Sequence, residues 1–107
     1  MSEIIIYTTQ DNKVRVSLKV ENGTVWLSQS QIVDLFDLNK SSISEHIKNI
    51  FEIGELDYKT TVRKFRTVQI EGNREVSREI EYYNLDMILA IGYRVRNIRG
   101  IQFRNWA

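Results

Sequence analysis

The stretch that decides the fold is residues 27–51, LSQSQIVDLFDLNKSSISEHIKNIF. Its large apolar residues recur with helical spacing in two short stripes, Ile32, Leu35 and Phe36, then Ile43, Ile47 and Ile50. Leu38 falls between the stripes, at a position suited to fill the space between two helices. Two short helices joined by a tight turn form a helix-turn-helix. We therefore predict this motif over residues 28–51.

Polar residues beside the stripes indicate where the helices begin. Ser28 and Gln31 have the spacing of a capping box, so the first helix is expected to start directly after Ser28. Asn39 is the preferred cap of the second helix, while Ser42 and Glu45 offer a second capping box three residues later. The turn contains no glycine, so any left-handed residue in it must be an aspartate or an asparagine.

Three strand-like runs precede the helices, at residues 4–9, 14–20 and 24–27. In the second run apolar and polar residues alternate, as in a strand with one buried face. Asn22-Gly23 suits a type I′ hairpin turn, because both central residues of that turn need a positive φ. Residues 1–27 are therefore predicted to form a β-meander.

A second hairpin is predicted after the helices, from residues 61–70 and 75–83, with Gly72-Asn73 as a type II′ turn. Phe65 breaks the apolar parity of its run, which predicts a bulge or a change of pairing. A hairpin directly after a helix-turn-helix is a wing, here residues 60–83.

Asn84 and Asn97 then cap two helices predicted within residues 84–107. The expected fold is one α+β domain over residues 1–107, a winged helix-turn-helix with an N-terminal β-meander. The apolar pattern Ile98, Ile101, Phe103 and Trp106 is still repeating at Ala107, so we expect this domain to be the N-terminal part of a longer protein. The same exposed cluster predicts a homodimer through residues 98–107.

Composition argues against several functional classes. The chain has no cysteine, and His46 is its only histidine, which is too few ligands for a zinc site in a monomer. It has no nucleophile elbow, no glycine-rich phosphate loop and no recognisable Ser-His-Asp spacing. We predict no enzyme, no metal, no cofactor and no small-molecule substrate. Without an apolar leader or a long apolar run, the protein is expected to be cytoplasmic and to avoid membranes.

Charge is distributed unevenly along the chain. Residues 1–62 carry six Lys/Arg against nine Asp/Glu, and residues 63–107 carry nine against five. The excess is greatest in four arginines that follow the last acid, Arg94, Arg96, Arg99 and Arg104. Two interpretations stay open: these arginines meet a phosphate-bearing partner, or they are solvated or paired with the acidic N-terminal half.

The candidate DNA-binding residues lie on the second helix and the wing. On the helix they are Lys40, Ser41, Ser42, Ser44, Glu45, Lys48 and Asn49, and on the wing Arg63, Lys64, Arg66 and Arg74. Hydroxyl, amide and cationic groups bind phosphates or base edges, and a carboxylate such as Glu45 accepts from the cytosine amine. Alternatively, Glu45 only caps the helix and the wing cations only keep an edge strand from aggregating. Tyr93 with Arg94 and Arg96 is a further candidate for a backbone contact, whereas the other aromatic residues are expected in the core.

Six stretches of the chain occur in a distinctive order: VWLSQ (25–29), SISEHIKNIF (42–51), GEL (54–56), YNLDMI (83–88), GYRV (92–95) and RGIQFRNWA (99–107). Through this set of stretches the chain resembles the RhuM family of virulence-associated bacterial proteins. The resemblance implies a DNA-binding protein found among mobile or pathogenicity-associated genes, and full-length relatives that continue beyond this chain. It implies no catalytic residue.

The function predicted from these features is duplex DNA binding in bacterial transcription or mobile-element regulation. The main alternative is a module for protein-protein interaction or oligomerisation within a larger RhuM-like protein. A third possibility is that the domain serves a catalytic region outside this sequence.

Overall fold

The computed structural model describes residues 3–107 and has an α+β architecture. Met1 and Ser2, the first residues of the predicted meander, lie outside the described residues. In chain order the elements are β1 (Glu3–Thr8), β2 (Arg15–Glu21), β3 (Thr24–Ser28), α1 (Gln29–Phe36), α2 (Lys40–Glu52), α3 (Tyr58–Thr61), β4 (Val62–Glu71), β5 (Arg74–Asn84), α4 (Leu85–Arg94) and α5 (Ile98–Trp106). The strands form one antiparallel sheet in the order β1-β2-β3-β5-β4, so the predicted α+β class is confirmed. None of the helices in this range is long and apolar enough to cross a membrane.

Strands β1, β2 and β3 pair in succession as an antiparallel meander. Asn22 and Gly23 have φ values of 53° and 77°, the two positive values that a type I′ turn needs, so this predicted hairpin is confirmed. In β2, Val16 and Leu18 are buried whereas Arg15 is exposed, as the alternation predicts.

A three-residue turn joins α1 and α2. Ser28 and Gln31 form the predicted capping box at the start of α1. Asn39 caps α2, with its side-chain oxygen accepting from the Ser42 amide at 2.8 Å, so the alternative start at Ser42 is wrong. Asp37 is the left-handed residue of the turn, with φ 54° and ψ 48°.

Gly54 ends α2 with a φ of 76°, and the Glu55 amide donates to the Ile50 carbonyl at 3.1 Å, as in a Schellman motif. The connection beyond it holds a helical turn, α3, which was not predicted. Its closing bond runs from the Thr61 amide to the Asp57 carbonyl at 3.1 Å. A single turn is too short to show an apolar period.

The helices cover one face of the sheet and enclose the core. The fully buried side chains include Leu18, Leu27, Ile32, Leu35, Phe36, Ile43, Ile50, Met87, Ile88, Ile91 and Phe103. Burying each such side chain is worth roughly 1.5–3 kcal/mol, so this packing determines which way α2 faces. Both apolar stripes of the predicted helix pair lie inside, and the polar side of α2 is left to solvent.

The β4–β5 hairpin is regular. Every residue of β4 faces one residue of β5, from Val62 opposite Tyr83 to Glu71 opposite Arg74, so the predicted bulge is wrong. Phe65 has the other parity because it lies on the outer face of the sheet. There its ring packs edge-on against the rings of Trp26 and Tyr82, with centroids 6.0 and 5.1 Å away. Gly72 takes a φ of 65°, as the first central residue of a type II′ turn requires.

Helix α5 packs on the core more fully than its sequence predicts. Phe103 is fully buried between the rings of Tyr7 and Phe36, so its expected core position is confirmed and its expected exposure to a partner is wrong. Gly100 allows this approach, because a Cβ at that position would lie 2.9 Å from the Val95 carbonyl oxygen. Trp106 contacts Tyr7 yet remains 46% exposed.

Candidate nucleic-acid interface

The exposed side of α2 is polar along its whole length. Ile43, Ile47 and Ile50 hold the opposite side in the core. Six of the seven predicted helix residues are exposed and one, Ser42, is half-buried: Lys40, Ser41, Ser42, Ser44, Glu45, Lys48 and Asn49. A shallow depression of about 590 Å³ runs over this side and brings together Lys40, Ser44, Glu45 and Lys48. We call this surface the α2 face.

Gln29, at the first position of α1, extends the α2 face and was not predicted. Its side-chain amide donates to the Ser44 hydroxyl at 2.6 Å and to the Lys40 carbonyl at 3.4 Å. These bonds hold the start of α1 against the first turns of α2. No local pattern signals this contact, because its partners lie 11 and 15 positions further along the chain.

The Glu45 carboxylate has no hydrogen-bond or ion-pair partner within residues 3–107. Asn39 already satisfies the amide that a capping box would use, so the capping alternative for Glu45 is wrong. Lys48 lies 3.9 Å from Glu52 one turn later, with both side chains mostly exposed. Such an exposed ion pair stabilises the fold by less than about 1 kcal/mol, so the Lys48 ammonium group remains available to bind a ligand.

A cleft of about 920 Å³ separates the α2 face from the hairpin. The starts of the helices contribute Gln29, Ser30 and Lys40 to one wall, and the hairpin contributes Gln69 and Glu79, among others, to the other. The wall formed by β5 is acidic, which was not predicted.

The wing cations do not form a single surface. In β4, Arg63 and Lys64 are neighbours and therefore point to opposite faces of the sheet. Arg63 lies on the outer face, 3.7 Å from Glu21, with its guanidinium over the Phe65 ring. The two-residue period of the strand therefore separates Arg63 from Lys64 and Arg66.

Lys64 and Arg66 do lie on the helix side of the hairpin, but each faces an acid across the strands. Lys64 is opposite Glu81, and Arg66 is opposite Glu79 and donates to the Ser77 hydroxyl at 3.2 Å. Arg74, at the tip, is opposite Glu71, which itself makes a two-point ion pair with Arg78. Neighbouring carboxylates therefore weaken the positive field of the β4–β5 hairpin.

Two of the four C-terminal arginines pair with acids of the N-terminal half. Arg94 binds Glu55 at 2.6 Å, and Arg99 binds Asp11 at 3.2 Å. Hydrogen bonds from the Thr9 hydroxyl and the Lys13 amide, and then the Arg99 guanidinium, lower the pKa of Asp11 to about 2. The Arg94 guanidinium likewise lowers the pKa of Glu55. For Arg94 and Arg99 the ion-pair interpretation is correct.

Arg96 differs from these two arginines. Its side chain is exposed and has no hydrogen-bond or ion-pair partner among residues 3–107. It helps to line a depression of about 560 Å³ between α2 and the end of α4, together with Glu45, His46, Asn49, Tyr93 and Arg94. The open candidate cluster at Tyr93 to Arg96 thus lies directly beside the α2 face.

The C-terminal part of the chain, residues 60–107, matches the model of the Virulence protein RhuM family. Over these residues the chain is similar to that family. The match confirms the resemblance over YNLDMI, GYRV and RGIQFRNWA, whereas the three stretches before residue 60 lie outside it. No curated protein and no solved structure matches the chain.

The RhuM match therefore covers only part of the candidate interface. It includes the hairpin β4–β5, the Tyr93 to Arg96 cluster and α5, but not α1 or α2. The polar face of α2 is a property of this chain that the match does not address.

Proposed function

We propose that this chain is a winged helix-turn-helix module that binds duplex DNA, with α2 as the recognition helix and the β4–β5 hairpin as the wing. The observation that carries the proposal is the α2 face, a solvent-exposed polar surface on a helix whose other side is locked into the core. Chain order also supports it. The α1–α2 pair lies between β3 and the hairpin in the chain, and the starts of both helices line a cleft opposite the hairpin.

The proposed roles follow from side-chain chemistry. B-DNA has a major groove about 12 Å wide, which admits one helix. In such a groove Ser44 and Lys48 would face base edges or phosphates, and the Glu45 carboxylate would accept from a cytosine amine. Lys40, near the wing, would contact the backbone. Gln29 would keep Ser44 oriented through its short hydrogen bond.

The distribution of charge sets the expected affinity for DNA. Nonspecific affinity for DNA comes mainly from neutralised phosphates. Lys40 and Lys48 are available for this, whereas Lys64 and Arg66 each lie opposite a glutamate. We therefore expect a single copy of the chain to bind DNA with modest affinity. The proposed role is in bacterial transcription or mobile-element regulation and depends on sequence readout.

The test compares substitutions on the α2 face with a distant control. Ser44→Ala, Glu45→Ala and Lys48→Ala should each change which sequences are selected from a random duplex pool, because base-edge contacts specify sequence. Lys13→Ala is the control for Lys48→Ala, because it also removes one positive charge but from the exposed β1–β2 connection. It should leave the selected sequences unchanged. If all four variants select the same sequences as the unmodified chain, the proposed readout by α2 is wrong.

A second candidate function is oligomerisation, and exposed apolar side chains favour it. Edge strand β1 keeps Ile4 and Ile6 63% and 52% exposed, and α5 exposes Ile98, Ile101 and part of Trp106. Such patches often mark interfaces. Sedimentation of the chain alongside an Ile4→Lys, Ile6→Lys variant distinguishes the two functions. An interaction module should form dimers that this variant lacks while neither protein binds duplex DNA.

A further inference from the structure

The depression between α2 and the end of α4 has the chemistry of an anion site. Its lining combines the cationic Arg96 with the imidazole of His46, the amide of Asn49 and the hydroxyl of Tyr93. Each of these groups can donate a hydrogen bond to a phosphate oxygen. Arg94, also in the lining, already binds Glu55, so Arg96 is the cation available there.

The depression is continuous with the α2 face, because Glu45 lines both surfaces. It lies on the flank of α2 away from the wing. Lys40, at the start of the helix, lines the cleft toward the hairpin, whereas His46 and Asn49 point to the opposite side. Consecutive positions of a helix are about 100° apart, and these residues therefore occupy opposite edges of the exposed arc.

We infer that this depression, which we call the α2–α4 seat, binds a backbone phosphate of duplex DNA on the strand opposite the one next to the wing. The inference rests on the proposed DNA binding. A helix in the major groove has a phosphate chain along each side, and contacts to both chains fix its position. The wing side supplies Lys40, and the α2–α4 seat supplies Arg96 on the other side.

The seat explains an otherwise unassigned arginine. Among the four arginines after Asp86, two are held by acids and Arg104 stacks on the Tyr93 ring, 4.9 Å from its centroid. Arg104 thereby orients Tyr93 at the rim of the seat. Glu45 at the boundary keeps the phosphate from sliding onto the base-reading part of the α2 face, because two anions repel each other.

The test measures binding of short random-sequence duplexes at several salt concentrations. Arg96→Ala should weaken binding severalfold for all sequences alike and should reduce the salt slope by about 0.9, the value for one lost phosphate contact. Arg96→Lys keeps the cation and should keep the slope. Arg15→Ala is the matched control, because it removes an exposed arginine from the outer face of the sheet.

Failure of the seat and failure of DNA binding give different results. If Lys40→Ala and Lys48→Ala weaken binding while Arg96→Ala behaves like Arg15→Ala, the seat is wrong and the proposed function stands. If the unmodified chain binds no duplex at low salt, both are wrong. Arg96 has no partner among the described residues, so circular dichroism should show that all its variants fold.

Discussion

At the residue scale, Asp37 determines the geometry between α1 and α2. Its left-handed backbone would strain most L-residues, but Asp tolerates it better than residues without a short polar side chain. Asp37→Ala should therefore lower the free energy of unfolding by about 1 kcal/mol, whereas Asp37→Gly should cost much less. Urea denaturation measures both variants.

Asp34→Ala is the control for that prediction, because Asp34 is exposed within α1 and has ordinary helical geometry. Equal stability of Asp37→Ala and Asp37→Gly would show that the turn carries no backbone strain.

Asp11 makes stability depend on pH in the acid range. Its pKa is about 2 in the folded chain against an ordinary 3.8, so folding favours the ionised carboxylate. The resulting stabilisation is complete above pH 3.8 and disappears as the pH falls through about 2. Asp11→Asn should flatten this part of the stability curve, measured as urea midpoints at successive pH values. If the stability of Asp11→Asn fell between these pH values as steeply as that of the unmodified chain, the assignment to Asp11 would be contradicted.

At the scale of elements, the outer aromatic cluster stabilises the hairpin that serves as the proposed wing. Phe65 packs against Trp26 and Tyr82, and the Lys19 ammonium lies 4.8 Å from its ring centroid. Phe65→Ala should destabilise the protein by about 2 kcal/mol, less than for a fully buried ring. Val68→Ala, on an exposed position of the same strand, should change little, and thermal unfolding compares the two. Equal effects would mean that the outer cluster contributes nothing.

Helix and strand positions could largely be predicted because their signals are local. Caps at Ser28, Asn39, Asn84 and Asn97 and the turn at Asn22-Gly23 depend on residues only a few positions apart. Helix α3 could not be predicted from periodicity because it is one turn long. The parity of Phe65 does not by itself distinguish a bulge from an apolar cluster on the outer face of the sheet, which is what the structure has.

At the scale of the whole molecule, the features that the sequence does not predict depend on contacts between residues far apart in the chain. The meander and the hairpin are joined into one sheet where Trp26 to Ser28 pair with residues 82–84. No local sequence pattern indicates that pairing. Ion pairs such as Arg99 with Asp11 join residues far apart in sequence and remove charges that appeared free. Most of the α2 face could be predicted because it lies on one helix, whereas the contribution of Gln29 from α1 could not. The surface of the β4–β5 hairpin could not be predicted from charge alone, since cross-strand register decides which cations face acids.

The most direct test of DNA binding is the affinity of the unmodified chain for random-sequence duplex at several salt concentrations. We predict that log affinity falls linearly with log salt, with a slope corresponding to several phosphate contacts, because Lys40, Lys48 and Arg96 flank one helix. Absence of binding at low salt, or an affinity that does not change with salt, would contradict the proposal that α2 docks on DNA.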